Sequence, residues 1–315
     1  MLGCNEDVLS IFEFFTGLDW GRRFQSAPMS GAEFTDLITA EQPVTTAVLK
    51  RGYEVEEIVY PFGEDRRYRR GDPVPWLLVT MMPRLSDDPD ELFDEVSAFA
   101  KTLPNQPPAE HYRALFEWLT ATLGKRHWIE RSGSSVEYLE GIRPLFPDAR
   151  YLHLHRDGRE VALSMLNHDA YRLPIALLYD APTDAGVRPS EMDAVDVACE
   201  PTDDDPISQI LASRPPAEYF GRYWTDQVVR GFRALGDLDA DQYLQIGFEE
   251  LVSDSRATLE RIAAFFELDA GSWLDDAAAL VRGVPATRYE TLAPTERERL
   301  DEACRAGARL LGREH

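Results

Sequence analysis

Apolar positions fall at helical spacing through 92–102 and 108–123. The run His111-Tyr112-Arg113-Ala114-Leu115-Phe116-Glu117-Trp118-Leu119 is the clearest case, and Pro104 and Pro107-Pro108 separate the two helices. His127-Trp128-Ile129-Glu130 predicts a short strand. Ser132-Gly133-Ser134-Ser135 follows as a turn whose hydroxyls can cap a helix over 136–145, which Phe146-Pro147-Asp148 ends. Tyr and Leu then alternate with His through 150–155, the signature of a second strand, and Asp157-Gly158 breaks it. Helical spacing restarts over 159–166 and returns in a long helix at 217–235. A strand at 242–246 comes next. A helix over 255–266 carries Leu259, Ile262, Ala263 and Phe266 on one face, and a final helix covers 294–311. Helices and strands in this alternation predict right-handed crossovers in a mostly parallel sheet. The fold class is therefore α/β, with three layers in α/β/α order.

Composition narrows the classes of function. The chain has 315 residues, 44% hydrophobic and 28% charged, ordinary for a globular protein and enough for one sizeable domain spanning 1–315. No segment approaches the roughly 18 apolar residues of a membrane span, and no signal peptide is visible. Cys4, Cys199 and Cys304 are odd in number and widely spaced, which predicts neither a disulfide framework nor a metal site, and makes the cytoplasm the expected location. A net charge of −23 argues against nucleic-acid binding. It also requires any anion site to be a local basic pocket, and the bases do cluster: Lys125, Arg126, Arg131, Arg143, Arg150, Arg156 and Arg159. Acid collects elsewhere. The Pro-rich segment 180–215 has seven acids and no base between 189 and 205, and reads as a surface excursion or a substrate-gating lid.

The candidate chemistry lies at the second strand's end. Arg156 leaves that strand at the carboxyl edge of the predicted sheet, where α/β folds bind ligands, and Ser164 follows eight residues later on the helix. A guanidinium fork and a hydroxyl so placed can hold a phosphate between them. The plainer alternative is an Arg that solvates the sheet rim and a helical Ser without a partner. This strand, turn and helix resemble the sulfotransferase family, in which a strand ending in Arg-Asp-Pro-Arg-Asp, with Ser eight residues after the first Arg, binds the 3′-phosphate of 3′-phosphoadenosine 5′-phosphosulfate. Here Gly158 stands for the Pro and Glu160 for the second acid. Residues 128–134 resemble the Trp-x-Glu-Lys-Thr-Pro segment of bacterial members, which makes Arg131 the cation near the transferred group. Residues 243–259 resemble a structural segment of the same family, and Trp224 matches the helix before it.

The resemblance implies a P-loop-like fold, that sulfuryl donor as cosubstrate, no metal, and a small-molecule, sugar or lipid acceptor with a hydroxyl or amine. It also implies a role for Glu13 as the general base. Phe12, Phe14 and Phe15 flank this acid, and burial among them would raise its pKa. A Glu that simply faces water at a strand end is the alternative. His111, His127, His153, His155 and His168 read as packing or surface residues, with His153 or His155 the nearest to the site. Trp76, Phe12 and Tyr171 are candidates to shape the acceptor pocket. The front of the chain departs from the family. Its first strand and 5′-phosphosulfate loop have no counterpart here, so the expectation is either a start downstream of the natural one or a catalytically impaired sulfotransferase-like binding module. Unpaired strand edges inside a sheet are costly, which favours the first. A nucleoside-triphosphate kinase is disfavoured, since no Gly-x-x-x-x-Gly-Lys-Ser/Thr occurs.

Overall fold

Strand β1, Val8–Phe12, opens the α/β core, with Val8, Leu9 and Ile11 all buried. The computed structural model describes residues 1–313. Five helices follow β1: α1 (Gly31–Thr39), α2 (Pro43–Lys50), α3 (Trp76–Thr80), α4 (Pro89–Thr102) and α5 (Pro108–Thr122). Local chemistry sets their starts. Ser30 and Glu33 form a reciprocal capping box at α1, and a proline opens α2, α4 and α5, where its missing N–H costs nothing. Strand β2, His127–Arg131, pairs in parallel with β1, Val8 opposite His127 and Phe12 opposite Arg131.

The helix predicted over 136–145 is shorter in the structure. A 3-10 turn, Ser135–Tyr138, leads into α6, Leu139–Ile142, and there it stops. Gly141 weakens the helix and Pro144 cannot donate to it, which outweighs the apolar spacing. Then come β3 (Tyr151–His155), α7 (Gly158–Leu166), α8 (Asp169–Tyr179), α9 (Pro206–Ala212) and α10 (Ala217–Leu235). Strand β4, Tyr243–Gly247, pairs in parallel with β3, and α11 (Phe248–Ser253), α12 (Ser255–Phe265), α13 (Trp273–Ala279) and α14 (Pro294–Leu310) complete the chain.

The strands form two parallel pairs, β1-β2 and β3-β4, rather than one continuous ladder. Both pairs are covered on two faces. Leu9, Ile11, Trp128 and Tyr151 face the larger core, which contains Leu115 and Phe116 of α5 and Trp224 of α10. Val8, Ile129, Leu152 and Ile246 face a second core built with Leu259 and Ile262 of α12 and Leu274 of α13. Neighbouring residues of a strand thus enter opposite layers, which is the α/β/α arrangement. Leu154 of β3, by contrast, is 48% exposed.

The acidic excursion is tied down. Arg51, at the end of α2, makes a 2.9 Å ion pair with Asp205, both side chains almost fully buried. Ile207, Ile210 and Leu211 of α9 enter the larger core. Among the described residues no helix is long and apolar enough to cross a membrane, and no cluster of three or more metal-ligating side chains occurs.

Candidate active site

Ion pairing sorts the basic cluster. Arg126 pairs with Asp7, Arg143 with Asp237, Arg150 with Glu267, and Arg159 with Asp157 and Asp301. Lys125 donates to the Glu6 carbonyl. Arg131 and Arg156 have no carboxylate partner among the described residues, in a chain with 56 acids and 33 bases. Within this cluster, the two arginines singled out in the sequence are thus the two arginines without a carboxylate partner. An unpaired guanidinium at the carboxyl end of a parallel strand is open to an external anion.

Arg156 follows β3 and lies 4.9 Å from the ring centroid of Phe248, the first residue of α11. This stacking holds its fork at the end of the β3-β4 pair. Ser164 is exposed on α7, and no hydrogen bond joins the two. Between them, Asp157 caps α7 by accepting from Arg159 N, which explains why Arg159 is spent on structure. A Cβ on Gly158 would sit 2.3 Å from the Trp224 ring, so this helix start takes only glycine. That contact gives a physical reason for Gly158 where the family pattern has proline.

Glu13 occupies the turn immediately after β1. Its side chain is buried, and its backbone adopts a left-handed conformation with φ 51°, uncommon outside glycine and a mark of locally stored strain. Three contacts fix it. Trp76 Nε1 donates to the Glu13 carbonyl at 2.7 Å, Gly133 N donates to Oε1 at 2.7 Å, and the Thr16 hydroxyl donates to Oε2 at 2.5 Å. Burial raises the Glu13 pKa, partly opposed by the Thr16 and Gly133 hydrogen bonds. Arg131 ends β2 opposite Phe12 and donates from Nε to Ser10 Oγ at 2.8 Å. Its guanidinium lies 4.5 Å from the Phe12 ring centroid, within electrostatic reach of Glu13.

Around Glu13 the structure assembles groups that the sequence did not connect. Glu130, on β2, accepts from Phe14 N at 3.2 Å; burial and then the Glu13 charge push its pKa up to about 8. Tyr138 OH lies 2.9 Å from Thr16 Oγ1 and 2.8 Å from Ser132 Oγ. A Cβ built on Gly133 would sit 3.6 Å from Glu13 Oε1 and 3.8 Å from Tyr171 OH, ordinary contact distances that place both groups beside this residue. His168 Nε2 lies 3.4 Å from Glu57 Oε1. Burial works against the imidazolium, yet the Glu57 carboxylate outweighs it and the His168 pKa is raised. Glu57 and His168 lie 111 positions apart, and no local pattern marks either for this contact.

Glu13 and Arg131 thus come together, with Phe12, Trp76 and Tyr171 beside them. Arg156 and Ser164 sit apart from that group, and no contact among the described residues bridges the two. His153, His155 and His111 make structural contacts, and His127 is exposed. His153 stacks on Tyr243 and is held neutral, burial pulling its pKa down to about 4, and His155 bonds Gln245 and Arg313. His111 is fully buried against Phe34 with Nε2 2.8 Å from the Met29 carbonyl.

No family model matches the chain, and no curated protein matches it. Among solved structures it is similar to a sulfotransferase domain from the curacin biosynthetic pathway, at 14% identity and a TM-score of 0.44, covering 92% of this chain and 96% of that one. A sulfotransferase domain from the Synechococcus PCC 7002 olefin synthase is similar at 18% identity and a TM-score of 0.39, covering 94% and 86%. Sulfotransferase STF9 from Mycobacterium avium is similar at 16% identity and a TM-score of 0.43, covering 99% and 70%. Scores and identities this low carry no functional argument, which rests on the residues themselves.

Proposed function

We propose that the chain is a sulfotransferase that moves a sulfuryl group from 3′-phosphoadenosine 5′-phosphosulfate to a hydroxyl or amine of a small-molecule acceptor. The observation that carries this reading is the pair of uncompensated cations, Arg131 and Arg156, with a buried, raised-pKa carboxyl beside the first of them. Arg156 and Ser164 fit a phosphate: a free fork braced on Phe248 and an exposed hydroxyl one helix away. The donor supplies an activated sulfuryl group. Arg131 faces negative charge that builds near Glu13 during transfer. Glu13 takes the acceptor proton as the acceptor oxygen bonds to sulfur and the sulfur's bond to the phosphate oxygen breaks. Each Glu13 oxygen already accepts one hydrogen bond and keeps a lone pair for that proton. Three free thiols fit a reducing, cytoplasmic setting.

The test is release of 3′-phosphoadenosine 5′-phosphate, followed by mass spectrometry, with a panel of hydroxyl and amine acceptors. Glu13→Gln is expected to lower kcat by about a hundredfold or more while leaving donor affinity unchanged. A variant as fast as the wild type removes Glu13 as the base. Absence of acceptor-dependent release across the panel counts against the transfer itself.

A further inference from the structure

Phe12 carries two guanidinium groups on one ring. Arg131 lies 4.5 Å from its centroid and Arg84 lies 4.1 Å from it, so the two cations are no farther apart than those distances combined. Neither has a carboxylate within 4.0 Å among the described residues, although the chain has 56 acids available. One stacked arginine is explained by attraction to the ring face. A second brings repulsion between like charges: burial and then the Arg131 charge lower the basicity of Arg84, and burial lowers that of Arg131. The arrangement is also built rather than loose. Arg84 Nη1 donates to the carbonyls of Glu57 (2.7 Å) and Thr80, fixing the plane of the group. Arg131 is held by Nε on Ser10. The remaining donors, Nε and Nη2 of Arg84 and both Nη of Arg131, carry no hydrogen bond among the described residues, and both side chains are exposed.

Two fixed forks with free donors, mutually repelling and open to solvent, are complementary to one anion. Arg84 also feels the Glu13 and Glu57 charges, which places the cationic pair beside the candidate base. Arg156 and Ser164, which would take the donor phosphate, lie at the other strand pair. We propose that Arg84 and Arg131 together bind an anionic group of the acceptor, so that the acceptor class is a hydroxyl compound bearing a carboxylate or similar anion close to the reacting oxygen. This rests on the sulfotransferase reading for the word acceptor, but the anion site stands on its own geometry. Arg84 becomes a specificity-determining residue: it anchors the substrate and leaves proton transfer to Glu13.

The test uses the full chain labelled with 15N-arginine and follows the Nε–Hε signals of Arg84 and Arg131. The probes are 4-hydroxybenzoate, its neutral methyl ester, and 3′-phosphoadenosine 5′-phosphate. The acid is expected to shift both signals along one saturating curve and to bind about tenfold or more tighter than the ester. Arg84→Gln should reduce the acid to the ester's affinity, and Arg84→Lys should keep part of the preference. Equal affinity for acid and ester, no saturable shift, or an acid preference that survives Arg84→Gln overturns the proposal. A nucleotide that shifts Arg84 assigns the anion to the donor and overturns it as well. Nucleotide binding that fails everywhere, with the acid preference intact, counts against the sulfotransferase reading and leaves the anion site standing.

Discussion

Glu130 and Glu13 sit at the ends of adjacent strands, and the first answers to the charge of the second. Burial and Glu13 raise the Glu130 pKa from 4.5 to about 8, so it is protonated near neutrality while Glu13 is the better candidate to accept a proton. A carboxyl whose pKa is raised on folding contributes stability that is fully present below 4.5 and is lost as pH rises through about 8. Glu130→Gln keeps an oxygen for Phe14 N and cannot ionise. Urea unfolding should therefore show the variant gaining on the wild type between pH 4.5 and about 8. Parallel pH profiles would show that Glu130 is charged at no cost. His168 has the same sign by a different cause: the Glu57 pair favours its imidazolium, and that contribution fades as pH rises through its raised pKa.

At the scale of elements, two glycines let tryptophans reach the junctions that matter. A Cβ on Gly17 would sit 2.0 Å from the Trp76 side chain, and Trp76 is the donor that holds the strained Glu13 carbonyl. Gly17→Ala is expected to cost about 1–3 kcal/mol and to loosen Glu13, visible as a fall in kcat beyond the loss of folded protein. Gly158→Ala, against Trp224 at the start of α7, should cost a similar amount in denaturant unfolding. A silent substitution at either position would mean that the indole moves aside freely. The excursion over 180–215 is anchored instead by charge. Burial alone would raise the Asp205 pKa, but Ser208, the Thr202 N–H and Arg51 more than offset it and hold it low. Arg51→Ala strands that buried carboxylate, with an expected loss of about 3 kcal/mol. A loss below that of a surface pair would mark the anchor as solvated.

Across the whole molecule, what the sequence reveals follows from the range of the interactions. The strands at 127–131, 151–155 and 243–247 and the helices α7 and α10 arise from local periodicity and were legible, whereas α8 and α9 were not. Arg131 and Arg156 stand out from a crowd of bases in the sequence because strand ends in parallel sheets are where anions bind. Which arginines the fold would neutralise was not legible, because Arg143–Asp237 and Arg150–Glu267 join residues about a hundred positions apart. The partners of Glu13 were hidden for the same reason: Gly133, Trp76 and Tyr171 converge on it from three distant segments. The 136–145 helix failed on a local rule, Gly141 and Pro144 overriding apolar spacing. With a net charge of −23 the molecule repels anions at long range, so binding of a nucleotide must come from a few uncompensated cations. Isothermal titration of 3′-phosphoadenosine 5′-phosphate into the wild type and into Arg156→Ala measures that most directly. The account predicts one site per chain, with affinity about tenfold or more weaker in the variant. Absence of binding to the wild type, or equal affinity in both, would contradict it.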